Sequence, residues 1–303
     1  MAHIYIFSPS SAVRNKAAFR RGLKRLQAQG HTVEVDEAAL ASHMRFAGDD
    51  AMRIAAIARA AASGADVAMI SRGGYGLTRI LPHLPYKAIG KAIDKGTQFV
   101  GLSDFTAFNQ AVMAQTGRIT WQGPALGEDF GSESEPDDIM QACFDDVWLE
   151  QGEGTGWQLP KTESDRRVRV NNATLWGGNL TVLTALLGTP YFPAVTGGVL
   201  FLEDVGEHPY RVERMLTQLL HAGVLARQKA VIFGQFTQFK LVPAHDKGFK
   251  LATVVDGLRS QMKTPVLTGL PFGHVPTKVL LPVGARVDLV TEGRDALMVW
   301  GHI

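Results

Sequence analysis

Gln98-Phe99-Val100-Gly101-Leu102-Ser103-Asp104-Phe105 sets an apolar, strand-like run directly before a serine, and Thr106–Gln115 follows with a helical pattern. A serine at a strand-to-helix turn can expose its hydroxyl while the next helix turns its first N–H groups toward a developing oxyanion. The same position also suits a helix cap, because Ser and Asp are preferred there. The turn by itself leaves both readings open.

Outward from this turn, the first 120 residues alternate strand and helix. Ile4–Phe7 reads as a strand ending in the turn Ser8-Pro9-Ser10-Ser11, and Ala17–Gln29 as a helix with Phe19, Leu23 and Leu26 on one face and Gly30 as its stop. Thr32–Val35 is a strand. Asp49 or Asp50 caps a helix running to Ser63, and Val67–Ile70 is a short apolar strand before the loop Arg72-Gly73-Gly74-Tyr75-Gly76. Gln98–Leu102 is the next strand, and the helix after Ser103 ends at Gly117. This alternation predicts an α/β fold with a parallel sheet covered by helices on both faces. In such sheets ligands sit beyond the carboxyl ends of the strands. The loops Ser8–Ser11, Arg72–Gly76 and Gly101–Asp104 all belong to that edge.

The pattern changes after residue 150. The stretch 151–165 opens with Gln151-Gly152-Glu153-Gly154-Thr155-Gly156 and reads as a polar, glycine-rich linker between domains 1–150 and 166–303. Beyond it, Asn179–Leu187 looks helical, Val199–Leu202 is a strand, and Pro209–His221 is a helix. That helix carries Val212, Met215, Leu216, Leu219 and Leu220 as a core-facing stripe. Pro265–Thr268 and short strands near Lys278–Leu281, Arg286–Val290 and Ala296–Trp300 predict a smaller, β-rich second domain.

Composition narrows the function classes. The chain has 303 residues, 46% of them apolar, which allows a substantial core in each of two domains. The net charge is only +2 and the basic residues are scattered, so neither a nucleic-acid stripe nor a polybasic membrane patch is expected. The single Cys143 permits no intrachain disulfide and points to a reducing compartment. Asp145 and Asp146 beside it would raise its thiol pKa, which suits a structural role. Met1–Phe7 lacks a basic lead and reads as a first strand rather than a signal peptide, and no apolar run reaches the length of a membrane span. A soluble cytoplasmic protein is expected.

Three further stretches could carry chemistry. Arg72–Gly76 fits neither G-x-G-x-x-G nor a Gly-Lys-Ser/Thr ending, so phosphate binding is poorly supported. Its glycines allow close backbone approach and an oxyanion donor, and Arg72 could clamp a carboxylate or sit in a structural ion pair. Glu203 continues an apolar strand and could orient a histidine, but Asp204 and Glu207 lie close by, and any of the three could be a capping or solvated acid. His274 follows Gly269-Leu270-Pro271-Phe272-Gly273, where Gly273 leaves room for the ring; His208 is its main competitor. No His-Glu-x-x-His or paired-cysteine pattern is present, so neither a metal nor another cofactor is expected.

Five blocks together are far more specific than any one of them. They are Ser71–Gly76, Gly101–Ala107, Thr174–Leu180, Leu202–Leu216 and Thr268–His274. In this order and spacing the chain resembles the murein LD-carboxypeptidases, muramoyltetrapeptide carboxypeptidases of serine peptidase family S66, over nearly its whole length. The resemblance implies a Rossmann-like N-terminal domain and a β-rich C-terminal domain. It implies a triad of Ser103 as nucleophile, His274 as general base and acid, and Glu203 as orienter, split between the domains with the active site in the cleft. It also implies a cytosolic homodimer that releases the terminal D-Ala from murein tetrapeptides in peptidoglycan recycling. Under this reading the N–H groups of Asp104 and of Gly73 or Gly74 serve the oxyanion, Arg72 meets the terminal carboxylate, and Trp176 and Asn179 wall the substrate. Phe105 stands where G-x-S-x-G would end in glycine, so an ordinary α/β-hydrolase turn is not expected. Two rival readings are a relative of the microcin-immunity type, cleaving a peptidyl- or aminoacyl-nucleotide amide, and a non-catalytic small-molecule binding module.

Overall fold

The computed structural model describes residues 1–302. In chain order its strands begin with β1 (His3–Phe7), β2 (Thr32–Val35), β3 (Val67–Ile70), β4 (Gln98–Gly101), β5 (Thr120–Gln122), β6 (Gly154–Gln158) and β7 (Arg169–Asn179). They continue with β8 (Val199–Val205), β9 (Ala230–Thr237), β10 (Val266–Leu267), β11 (Leu281–Val283), β12 (Arg286–Glu292) and β13 (Asp295–Val299). The chain forms two compact units. The first comprises 1–152, 188–193 and 276–284, and the second comprises 153–187, 194–275 and 285–303.

The first unit holds a six-stranded sheet in the order β11-β5-β4-β3-β1-β2. β1 to β5 run parallel, and only β11 is antiparallel, at the edge beside β5. Successive parallel strands are joined through helices: Lys16–Ala28, Asp50–Ala62, Tyr86–Ile93 and Phe105–Thr116. From β1 the chain steps one way to β2, then returns to the other side as β3, β4 and β5. With right-handed crossovers that reversal places the connecting helices on opposite faces. It also makes the β1/β3 junction the switch point, where the loops after these strands diverge and leave a crevice. The Lys16–Ala28 helix is capped by Asn15, whose side chain accepts from Ala18 N, and it buries Phe19 and Leu26.

The second unit holds a seven-stranded sheet in the order β10-β9-β8-β7-β12-β13-β6. β7 to β10 are parallel, and β12, β13 and β6 add on as an antiparallel meander. Helix Pro209–His221 buries Val212, Met215, Leu216 and Leu219, as its spacing predicts.

Two segments differ from the sequence expectation. The glycine-rich 151–165 stretch contains β6, hydrogen-bonded along β13. Gly154 there reflects packing, for a Cβ at that position would lie 2.5 Å from Met298 O. The strand expected near 278–281 forms as β11 and joins the first unit's sheet, not the second's. Its register sets Leu281 opposite Gln122 and Pro282 opposite Trp121, an edge position that tolerates proline's missing N–H. The same segment is anchored by Lys278, whose Nζ lies 2.5 Å from Asp129 Oδ1 with both side chains almost fully buried. Removing one partner of such a pair leaves an uncompensated buried charge. Lys278→Ala is therefore expected to lower the unfolding free energy by about 3–5 kcal/mol. Urea denaturation measures this, and a loss below about 1 kcal/mol would show the pair to be dispensable.

Candidate active site

In the first unit the site is built where β4 ends. Ser103 adopts φ +67°, the left-handed region that costs an L-residue with a side chain about 1–2 kcal/mol. Such strain persists only where the surroundings impose it. Here the loop after β3 presses against the serine: a Cβ at Gly73 would lie 2.7 Å from Ser103 Cβ and 3.1 Å from its Oγ. Beneath the turn, a Cβ at Gly101 would lie 2.6 Å from the Phe105 ring. That ring is fully buried and stacks on Phe108 at 4.5 Å. The turn thus spends its glycine before the serine and fills the place after it with an aromatic anchor. The helix-cap reading of Ser103 does not hold, since Asp104 is the residue preceding helix Phe105–Thr116 and no side chain caps that end.

The Arg72–Gly76 loop is held by the loop after β1. Ser11 Oγ accepts from Tyr75 N at 3.0 Å, and Ser11 N donates to Gly73 O at 3.4 Å. Gly74 has φ +109°, and a Cβ there would lie 2.3 Å from Ser11 Oγ. Among the described residues no protein acceptor takes the backbone N–H of Gly73, Gly74 or Asp104. Arg72 is half-buried and donates from Nη1 to Ala12 O at 3.3 Å. The structural ion pair considered for it is not found among the described residues, so its guanidinium keeps donors for an anion.

In the second unit the choice among three acids and two histidines resolves on geometry. His274 Nδ1 lies 2.7 Å from Glu203 Oε2, with Glu203 fully buried and the ring mostly so. A Cβ at Gly273, where φ is +137°, would sit 3.2 Å from the same carboxylate oxygen. Glu203 lies inside β8, which runs beyond the apolar stretch that marks it in sequence. The β8/β9 register shifts between Leu202 and Asp204, an irregularity of the kind that re-aims a side chain. Asp204 is engaged locally, accepting from Thr181 N at 2.9 Å and Thr181 Oγ1 at 2.7 Å, and burial pushes its carboxyl pKa up. Glu207 pairs with Arg211 at 3.6 Å. His208 accepts from Tyr210 N at the start of helix Pro209–His221 and pairs with Asp246 at 3.2 Å, a structural clip.

Two expected substrate walls are corrected. Trp176 is fully buried and its Nε1 donates to Gln228 Oε1 at 3.2 Å, so the indole belongs to the core. Asn179 is buried too. Its Nδ2 donates to Glu203 Oε1 at 3.1 Å and Asp204 Oδ1 at 2.9 Å, while its Oδ1 caps Val182 N. It steadies the Glu203 carboxylate that faces His274.

Sequence reasoning missed Arg53 and the Asp104 side chain. Arg53 is fully buried and its Nη1 donates to Pro9 O at 3.0 Å and Gly76 O at 2.9 Å. Asp104 is buried, and its Oδ2 accepts from Leu77 N at 2.9 Å. A signal existed for Arg53, which shares the helical stripe 53, 56, 57, 60 with Ala56, Ile57 and Ala60. Cys143 is part-buried, and burial, with lesser help from the charges of Asp146 and Asp137, raises its thiol pKa. No group of three or more His, Cys, Asp or Glu side chains among the described residues could hold a metal ion. No helix among them is long and apolar enough to cross a membrane.

The family models for the LD-carboxypeptidase N-terminal and C-terminal domains match residues 4–123 and 172–289. The chain belongs to the S66 LD-carboxypeptidase family. It is a peptidase by that membership, and its relatives carry carboxypeptidase names. A probable murein peptide carboxypeptidase of Bacillus subtilis is 28% identical over 91% of this chain and 85% of the relative. The crystal structure of a muramoyltetrapeptide carboxypeptidase from Oxalobacter formigenes superposes with a TM-score of 0.88 at 37% identity, covering 99% of this chain and 98% of that one. The microcin C7 self-immunity protein of Escherichia coli is 27% identical over 75% of this chain and 72% of its own. The α/β architecture with its parallel sheets is that of this family.

Directly after Ser103, Asp104 has an electrostatic signature. Burial pushes its carboxyl up to about 6, against the opposing pull of the Leu77 amide and the charge of Arg53. A carboxyl raised on folding contributes stability that is full below its ordinary pKa and lost as pH rises through the folded value. Stability of the wild type relative to Asp104→Asn should therefore fall between pH 4 and pH 7, by about 1.4 kcal/mol per unit of displacement. Urea midpoints across that range read the difference, and parallel curves would refute it.

Proposed function

We propose that the chain is a serine LD-carboxypeptidase that releases the terminal D-Ala from murein tetrapeptides (L-Ala-D-Glu-diaminopimelate-D-Ala), with Ser103, His274 and Glu203 as its triad. The observation that carries the reading is the 2.7 Å hydrogen bond between His274 Nδ1 and buried Glu203, in a chain that also holds a serine turn in a left-handed backbone conformation. With Nδ1–H donated to the carboxylate, Nε2 keeps its lone pair and is the base.

Nε2 takes the Ser103 hydroxyl proton as Oγ attacks the carbonyl before the terminal D-Ala. The N–H groups of Asp104 and of Gly73 or Gly74 receive the oxyanion, each such donor being worth about 3–4 kcal/mol in the barrier. His274 then gives its proton to the departing amine, and water, deprotonated by the same nitrogen, resolves the acyl-enzyme. Arg72, with guanidinium donors uncommitted to any carboxylate, meets the terminal carboxylate of the substrate. A homodimer working in the cytoplasm on muropeptides from wall turnover completes the proposal.

The similarity to the microcin C7 self-immunity protein supports a second reading, cleavage of an aminoacyl-nucleotide amide. Turnover of the tetrapeptide and of an aminoacyl-sulfamoyl nucleoside, compared at equal enzyme, separates the two. Ser103→Ala is expected to abolish D-Ala release, a fall of at least about 10⁴-fold, with an unchanged circular dichroism spectrum. Full activity in that variant would remove Ser103 from the mechanism. A wild-type chain inert toward both substrates and toward a fluorophosphonate would leave the binding-module reading.

A further inference from the structure

The oxyanion donors proposed above come from two different loops, the turn after β4 and the loop after β3. Nothing in the chain's connectivity sets their spacing, because 26 positions separate the last residue of the glycine loop from Leu102. Pairing of β3 with β4 brings the two loops to one edge, and side chains hold their spacing there. We infer that the Asp104 carboxylate is a positioning residue that locks the Gly73–Gly76 loop to the nucleophile turn and so holds the oxyanion donors in register. This deepens the reading of Ser103 as nucleophile and rests on it.

The lock is built from few groups. Asp104 follows the nucleophile directly, so its side chain moves with the Ser103 turn. Its Oδ2 accepts from Leu77 N at 2.9 Å, the first amide beyond the glycine loop. From the other side, fully buried Arg53 donates to Gly76 O at 2.9 Å and to Pro9 O at 3.0 Å, tying the same loop to the one after β1. Arg53 lies 4.8 Å from the centre of the Phe46 ring and is held by Asp50. Gly76 has φ +142°, and a Cβ there would lie 2.6 Å from Arg53 Nη1, so the loop's last residue has no room for a side chain. The loop is thus gripped at Gly73–Tyr75 by Ser11 and at Gly76–Leu77 by Arg53 and Asp104. Gly73 and Gly74 lie within the first grip and directly before the second, with Gly73 packed against Ser103.

A carboxyl almost wholly removed from water is costly to keep without a partner. A mere helix-start residue would not need it, since Asp104 caps no amide of its own helix. The Leu77 amide it accepts from lies in the opposite loop, which is where a brace between the two donor sets would reach. An asparagine in its place keeps a carbonyl oxygen for Leu77 N–H and removes the charge. An alanine removes the acceptor.

The test reads the second-order rate at which a fluorophosphonate labels Ser103 in the full-length chain, with labelling located by mass spectrometry. The readout needs no murein substrate and depends on the oxyanion donors. Asp104→Ala is expected to slow labelling at least about 10-fold after correction for the folded fraction measured by urea titration. Asp104→Asn is expected to return within about threefold of the wild type. Labelling of the alanine variant at the wild-type rate overturns the inference. So does an equal loss in both variants, which would make charge the operative property, and so does a loss that tracks the unfolded fraction. A wild-type chain that takes no label at Ser103 overturns the nucleophile reading itself, and is told apart from the other outcomes because it appears before any variant is compared.

Discussion

The first unit depends on a serine held in a backbone conformation that serine disfavours. Left-handed φ at Ser103 costs of order 1 kcal/mol, and the chain does nothing locally to relieve it. What imposes the conformation is close approach. Gly73 lies where any side chain would strike the serine, Gly101 lies flat under the Phe105 ring, and Phe105 is locked against Phe108. The Gly73 contact requires β3 and β4 to pair in parallel, because adjacent parallel strands bring their following loops to one edge. Buried aromatic packing below the turn thus supports the strain at its tip.

The second unit solves a different problem, which is how to keep a carboxylate inside a sheet. Glu203 sits in a strand that is apolar from Val199 to Leu202 and buried from Val199 to Asp204. It is tolerable there because both oxygens are engaged, Oε2 with His274 and Oε1 with Asn179. Asn179 is placed by register, directly opposite Glu203 across β7 and β8, and it doubles as the cap of the short helix that follows. One amide therefore links strand pairing, a helix start and the orientation of the histidine partner. The neighbouring acid, Asp204, is satisfied by Thr181 and stays out of the histidine's reach.

Much of this was legible in the residues. Strands at 32–35 and 67–70 and the helix at 209–221 have the bounds their patterns predict, because alternating apolar runs and a clear 3.6 stripe leave little choice. Glycine and proline marked the turns that carry the candidate chemistry. Less legible was anything decided by partners distant in sequence. Glycine-rich 154–158 reads as a linker by composition, yet it pairs with a strand some 140 positions later. Residues 281–283 look like part of the second domain and instead edge the first sheet. Trp176 and Asn179 lie in a family block, but burial makes one a core residue and the other a support for Glu203.

The sequence alone determined the fold class, the family blocks and the candidates Ser103, Glu203 and His274, since periodicity, turn residues and motif order are local properties of the chain. The tertiary structure decided which acid faces His274, why Gly73, Gly76 and Gly101 carry no side chain, and what Arg53 and the Asp104 carboxylate touch. Those answers depend on sub-ångström clearances and on hydrogen bonds between residues tens of positions apart. No local pattern encodes them, because a buried polar group's role is set by the partner that satisfies it.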